Sequence, residues 1–186
     1  MHYQPGGSLM GTMDEAIVLA AVQRGAPEAL ALLYERFRPL VFSAAFRITG
    51  DPHVAEDVVQ ETFLQVGEAL PRWRPQARLS TWVYRIAVNE ALDERRRARR
   101  RPVPESGCTE RIPEKAVVAP EAGGADRILE AVAQLPAREK AVFVLRHYEG
   151  LALAEIAEVL DVALGTVKAT LHHALSKLAE RLRDLR

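Results

Sequence analysis

The stretch Arg72–Arg101 reads RWRPQARLSTWVYRIAVNEALDERRRARRR and predicts one loop followed by one long helix that Ser80 caps. It holds ten arginines against three acidic residues, in a 186-residue chain whose formal net charge is zero. Clustered guanidinium groups bind phosphates, and aromatic faces stack on bases that have left a duplex. The stretch therefore predicts a surface for single-stranded nucleic acid. The alternative is a solvated amphipathic helix whose aromatic side chains lie in the core.

The strand-binding candidates are the loop arginines and tryptophan together with one side of the helix. That side is defined by steps of three and four residues, so a single strand can lie along it. Arg97 and Arg99–Arg101 are expected to hold duplex phosphates without base specificity. The full candidate set is Arg72, Trp73, Arg74, Arg78, Trp82, Tyr84, Arg85, Asn89, Asp93 and Arg96.

The segment before this stretch is acidic and helical. Residues 1–12 are expected to form a disordered tail, and Thr12 with Glu15 matches a capping box that opens a first helix. A second helical segment ends at Gly50, and Asp51–Pro52 predicts the start of a helix running to about Leu70. That helix is expected to bury Ala55, Val58, Val59, Thr62, Phe63 and Val66 and to point Glu56, Asp57, Gln60 and Glu61 outward.

The remainder divides into a linker and a second helical domain. Residues 102–125 contain four prolines and three glycines without periodicity, which predicts a flexible linker between domains at 13–101 and 126–186. After it, an apolar stripe of Ile128, Leu129, Val132 and Leu135 predicts one short helix, and a second helix follows Pro136. Helices at about Ala152–Leu160 and from about Thr166 form a helix-turn-helix pattern, for which an ordinary antiparallel helix pair is the alternative.

Composition excludes several function classes. No apolar run reaches the roughly 20 residues that span a bilayer, and Cys108 is the only cysteine, so a multi-cysteine zinc site is excluded. The sequence has no Gly-rich phosphate loop, ligand cluster or paired nucleophile and base. We therefore expect an all-α cytoplasmic protein without membrane insertion, without enzymatic activity and without a cofactor or metal.

Joined in this order, the motifs resemble the sigma-70 family of RNA polymerase sigma factors, in its two-domain extracytoplasmic-function (ECF) group. DPHVAEDVVQETFLQV at 51–66 resembles the helix that binds the beta-prime clamp helices, which implies a polymerase surface of Glu56, Asp57, Gln60, Glu61 and Phe63. STWVYRIAVNEALDERRRARR at 80–100 resembles the promoter-melting, minus-10-reading element, which implies that the strand-binding candidates above contact minus-10 DNA.

The second domain carries the other half of the resemblance. LPAREKAVFVLRHYEGLALAEIAEVLDVALGTVKATLHHAL at 135–175 resembles the minus-35-reading domain that also binds the beta flap. The resemblance implies a sigma-2-like bundle, a sigma-4-like helix-turn-helix domain, and core RNA polymerase, promoter DNA and an anti-sigma factor as partners. The implied minus-35 contacts are Thr166, Lys168, Ala169, Thr170, His172, His173 and Lys177.

The chain departs from the family pattern at three positions. Gly67 stands where a tryptophan is usual, and Thr170 and His173 replace two usual arginines of the recognition helix. Because arginine is the strongest reader of guanine and keeps its charge, minus-35 binding is expected to be weaker or differently specified. Two alternatives stay open: a sigma-like regulatory protein with weakened minus-35 reading, and a helix-turn-helix regulator that never binds polymerase.

Overall fold

A computed structural model describes residues 17, 20–26, 28–73, 78–100 and 125–183, and every regular element in these ranges is helical. The predicted tail, the Thr12–Glu15 capping box, Arg74, Arg101 and almost all of the predicted linker lie outside the described residues. The helices are α1 (Ala29–Thr49), α2 (Pro52–Ala69), α3 (Leu79–Arg100), α4 (Ala125–Ala133), α5 (Ala137–His147), α6 (Leu153–Leu160) and α7 (Leu164–Arg183).

The junction between α1 and α2 follows from local sequence chemistry. Gly50 ends α1 in the left-handed conformation, with φ of 82°, which costs a residue without a Cβ little. The Asp51 carboxylate accepts hydrogen bonds from the backbone N–H groups of His53 and Val54 at 2.8 and 3.2 Å. Pro52 occupies the first turn, where its missing N–H has no cost. The predicted start of this helix is confirmed.

Helices α1, α2 and α3 pack against one another as the first domain. Their shared core includes the fully buried side chains of Leu33, Val41 and Val83. All six residues predicted to be buried on α2 are buried. One of them is polar: the Thr62 hydroxyl is inaccessible and has no hydrogen-bond partner.

The predicted cap of α3 is wrong. The helix begins at Leu79, so Ser80 lies within its first turn. A short 3-10 turn, Leu70–Arg72, follows α2 and brings the chain toward α3. The helix thus begins two residues before the position that a Ser80 cap would give, and Leu79 is buried in the first-domain core.

Helices α4 to α7 form the second domain and include the predicted helix-turn-helix. Asp161 adopts the left-handed conformation, with φ of 52°, between α6 and α7, and α7 begins at Leu164, two residues before the predicted Thr166. Of the four residues in the predicted apolar stripe, two are buried and two are exposed. Leu135 and Val132 are buried, whereas Ile128 and Leu129 are 42% and 48% exposed.

The two domains pack directly against each other, which the sequence did not predict. One core cluster contains Val88 and Leu92 of α3 together with Leu145 of α5 and Ile156 of α6. Because these residues come from both sides of the predicted linker, this cluster joins the two domains, whereas the other two clusters each lie within one domain. In the described ranges, no helix combines the length and the apolarity needed to cross a membrane.

Candidate polymerase and nucleic-acid interfaces

The outward face of α2 is acidic and carries one exposed apolar side chain. Asp57, Gln60 and Glu61 are exposed, as the helical spacing predicts. Glu56 is half-buried, and its carboxylate accepts a hydrogen bond from Arg38 at 2.9 Å. These acidic groups lie along one side of the helix, where a basic partner surface can reach them.

Phe63, the apolar anchor expected on this face, lies in the core. Its ring is only 7% exposed and meets the Tyr34 ring edge-on at 4.8 Å between centroids. The exposed apolar residue is the next one, Leu64, which is 64% exposed. Leu64 follows Asp57 by seven residues and Glu61 by three, so helical register places it on the acidic face. That register is the signal from which it could have been predicted.

Gly67 provides room for a neighbouring helix. A Cβ built at this position would lie 3.3 Å from Cδ2 of Leu30, on α1. The Leu30 side chain, which is 38% exposed, would have to shift by a few tenths of an ångström to admit that Cβ.

Acidic side chains also line a groove between α2 and α3. The groove is bordered by Asp57, Glu61, Gln65, Glu90, Glu94 and Arg97. Arg97 donates to Glu90 at 3.0 Å and also pairs with Glu94. The two hydrogen bonds that Arg97 donates, above all the one to Glu94, raise the pKa of its guanidinium. This guanidinium, predicted to hold duplex phosphate, is bound within the protein.

The strand-binding candidates between α2 and α3 lie close together. The Trp73 and Trp82 rings pack with centroids 6.0 Å apart, and both are half-buried against the first-domain core. Arg72, next to Trp73 in the chain, and Arg78, immediately before α3, are exposed. Of this loop, Arg74 lies in the part of the chain that the structure does not describe. The two indoles are therefore in contact with each other, and their stacking on an extruded base stays a prediction.

Along α3, the predicted side contains three exposed polar residues, Arg85, Asn89 and Arg96. Arg96 forms an ion pair with Asp93 at 2.6 Å, one turn away on the same helix. Arg85 donates twice, through Nε and Nη2, to the backbone carbonyl of Glu158 in the second domain, at 3.0 and 2.8 Å.

Tyr84 does not belong to this exposed surface. Its ring is 6% exposed, and its hydroxyl donates to the Glu149 carboxylate at 2.7 Å. Burial raises the pKa of Tyr84 far above the ordinary tyrosine value, and the charge of Glu149 raises it further. In this arrangement the ring cannot stack on a base, because the second domain covers it.

The outer face of α7 is open. Thr166, Lys168, Ala169, His172 and His173 are exposed, and Thr170 is half-buried beside them. Lys177 is different, because its ammonium donates to Glu139 of α5 at 2.6 Å.

Partial burial lowers the pKa of His147, and the charge of Arg146 lowers it further. Among the described residues, no group of three potential ligands is arranged to hold a metal ion.

The fold and these surfaces define a two-domain, helical, helix-turn-helix protein of the kind found in sigma factors. The Sigma-70 region 2 family model matches residues 33–101, and the Sigma-70 region 4 model matches residues 125–178. The chain therefore belongs to the sigma-70 family, in its ECF group.

Curated relatives and solved structures agree with this assignment. The ECF RNA polymerase sigma factor SigW of Bacillus subtilis is 31% identical, over 88% of this chain and 94% of its own. SigL of Mycobacterium tuberculosis, also an ECF RNA polymerase sigma factor, is 38% identical, over 82% of this chain and 88% of its own. CnrH, solved with the cytosolic domain of CnrY, shares the fold with a TM-score of 0.68 at 23% identity, over 92% of this chain and 98% of its own.

Proposed function

We propose that this ECF sigma factor is a non-catalytic initiation subunit that works in the cytoplasm, where it directs core RNA polymerase to specific promoters and opens the DNA. The observation that carries the proposal is the presence of both sigma-70 regions in one chain, on two helical domains. Either region alone would fit a regulator that binds only DNA or only polymerase.

The docking surface for polymerase is the outward face of α2. Asp57, Gln60, Glu61 and Leu64 share one side of the helix and are all exposed. An exposed leucine ringed by acidic groups fits an interface with an apolar centre and a charged rim. We assign the beta-prime clamp helices to this face and the beta flap to the second domain.

The loop between α2 and α3, together with α3 itself, binds the extruded minus-10 bases. The Trp73–Trp82 pair supplies an aromatic wall, and Asn89 is an exposed side chain with both donor and acceptor groups on the adjoining helix face. Binding energy from stacked bases favours the melted strand over the duplex, so opening needs no separate energy source.

Minus-35 reading falls to the outer face of α7. Lys168 is the exposed permanent cation at its centre, since Thr170 and His173 replace the usual arginines. Lys177 is held by Glu139 and is therefore a weaker candidate for DNA contact.

We also propose an anti-sigma partner. Its support is fold likeness to RpoE of Bartonella quintana, solved with the anti-sigma factor NepR, at a TM-score of 0.63, 22% identity and coverage of 80% of this chain and 92% of that one.

Transcription from a genomic promoter library with purified core polymerase tests the proposal. We expect initiation at a restricted set of promoters, lost with Asn89→Ala because strand capture loses about 1–3 kcal/mol. Lys168→Ala is expected to weaken duplex binding and reduce its salt dependence by about one ion, whereas the matched Lys177→Ala leaves that dependence unchanged. Polymerase binding without initiation on any promoter would instead identify a sigma-like regulator, and no binding a polymerase-independent regulator.

A further inference from the structure

The outer face of α7 carries two neighbouring rows of side chains. Val167, Ala174 and Leu178 are buried and define the side of the helix that packs on the domain core. On the opposite side, steps of three and four residues align one row, which we call the threonine row. Its members are Thr166, Ala169, Thr170 and His173. Lys168 and His172 belong to the row beside it.

The threonine row contains no guanidinium group, and the ammonium group one turn beyond it is engaged. Lys177 follows His173 by one helical turn and donates to Glu139 of α5 at 2.6 Å. Guanine is read mainly by an arginine or lysine that spans its O6 and N7 acceptors. The single ring of His173 cannot form that fork. The row therefore lacks the groups that most often select guanine.

Methyl groups are what the threonine row offers to bases. Thr166 and Ala169 are exposed, and Thr170 is half-buried next to them. In the major groove, alanine and threonine methyl groups make apolar contacts with the C5-methyl group of thymine. The threonine hydroxyls can also donate to or accept from a base edge. This chemistry is complementary to an A·T pair.

Short side chains reach base edges only when the helix backbone comes close to the floor of the groove. Gly165 precedes Ala169 by one turn, and a Cβ built at Gly165 would meet nothing within 4 Å. The first turns of α7 therefore have a small-residue surface with open space around it. Because the N-terminal part of a recognition helix is the part that contacts bases, this surface lies where close approach is needed.

We infer that Ala169 and Thr170, with Thr166 beside them, read thymine methyl groups, so that the minus-35 element of this sigma factor has A·T pairs where α7 meets the bases. The inference rests on the proposed function of α7. Lys168 then supplies a phosphate contact without base preference. Loss of the usual arginines at Thr170 and His173 thus changes which bases are selected, and does not simply weaken binding.

The test begins with selection of duplex DNA by the full chain bound to core polymerase. The library is randomised only upstream of a promoter at which this complex initiates, and we expect enrichment of adjacent A·T pairs. Each selected thymine is then replaced by deoxyuridine, which keeps the base pair and removes only the C5-methyl group. At positions that face α7, binding should weaken about three- to fivefold, the value of one buried methyl contact.

Variants that lack one methyl group assign the contacts. Thr170→Ser and Ala169→Gly should each weaken binding about three- to fivefold and abolish the effect of deoxyuridine at one position. Ala179→Gly is the matched control, because Ala179 is exposed near the other end of the same helix. It should respond to deoxyuridine as the wild type does. Circular dichroism checks that each variant keeps its helical content.

The reverse change restores the fork. Thr170→Arg combined with His173→Arg should shift the selected element toward guanine, whereas Lys168→Ala should weaken thymine and guanine duplexes equally. Selection of guanine by the wild-type chain, or no effect of deoxyuridine at any selected thymine, overturns the inference.

Failure of the inference can be told apart from failure of the proposed function. Initiation at promoters that carry guanine at these positions refutes thymine reading and leaves the proposed function standing. If no promoter supports initiation, the proposed function is refuted, and selection of fully randomised duplexes by the full chain alone then decides the base preference. A chain that neither initiates nor selects any sequence refutes both.

Discussion

Removal of the buried Tyr84 hydroxyl should change stability in a way that can be distinguished from a change at any other tyrosine in the chain. Replacing Tyr84 by Phe keeps the ring and removes only the 2.7 Å hydrogen bond to Glu149. Because the acceptor is a carboxylate, the bond is worth about 1.5–3 kcal/mol. For a chain of this length each kcal/mol corresponds to about 2–4 °C in Tm, so thermal denaturation at neutral pH resolves the loss.

The pH dependence provides a second, independent signature. The folded state raises the pKa of Tyr84, so the stabilisation is complete below the unfolded tyrosine pKa of about 10. As pH rises above that value, the unfolded state loses the proton first, and stability falls by up to about 1.4 kcal/mol per pH unit. Urea denaturation between pH 8 and about pH 11 measures this slope. Tyr84→Phe is expected to flatten it.

Tyr34→Phe is the matched control. The Tyr34 ring is 42% exposed and contacts Phe63 through its ring, so loss of its hydroxyl should change stability by less than about 0.5 kcal/mol. If Tyr84→Phe left both the neutral stability and the alkaline slope as in the wild type, the Tyr84–Glu149 contact would not exist in solution.

Three further substitutions test the first domain. Asp51→Ala should cost about 1 kcal/mol by removing the α2 cap, and Asp51→Asn should retain most of it, as urea denaturation would show. Thr62→Val should stabilise by about 1 kcal/mol, because the buried hydroxyl has no partner; a lower urea midpoint would contradict this. Leu64→Ala should weaken binding to core polymerase by more than about 1 kcal/mol in calorimetry with little loss of stability, because Leu64 is the exposed apolar side chain of the α2 face.

Local sequence signals predicted the helices better than they predicted which side chains reach the surface. The start of α2 at Pro52 was predictable because a cap, a proline and an apolar period agree within a few residues. Phe63 and Tyr84 show that the sequence pattern alone does not decide whether an aromatic side chain is buried or exposed. An aromatic residue in a helical period is compatible with either a core or a binding surface, and only the packing of neighbouring helices decides between them.

The interdomain contacts were beyond sequence reasoning for a different reason. Ser43 and Glu149 are 106 positions apart, and Arg78 and Glu155 are 77 apart. No local period or motif links such pairs, since their meeting depends on the complementary shapes of two folded domains. The sequence predicted two helical domains joined by a flexible linker, and it did not indicate that one core cluster would take residues from both domains.

The positive charge counted along Arg72–Arg101 overstates the number of guanidinium groups that the folded chain presents to DNA. Arg78, Arg85, Arg95, Arg96 and Arg97 all donate hydrogen bonds within the protein, Arg95 to the Ile48 carbonyl at 2.7 Å. A strand that binds α3 must exchange these contacts for its own, so part of the electrostatic gain is offset. Weak contacts with arbitrary sequences would not complete that exchange, whereas stacking on the Trp73–Trp82 wall adds the energy that does. If α3 has the proposed function, intramolecular pairing makes strand capture depend on the bases and not on phosphate charge alone.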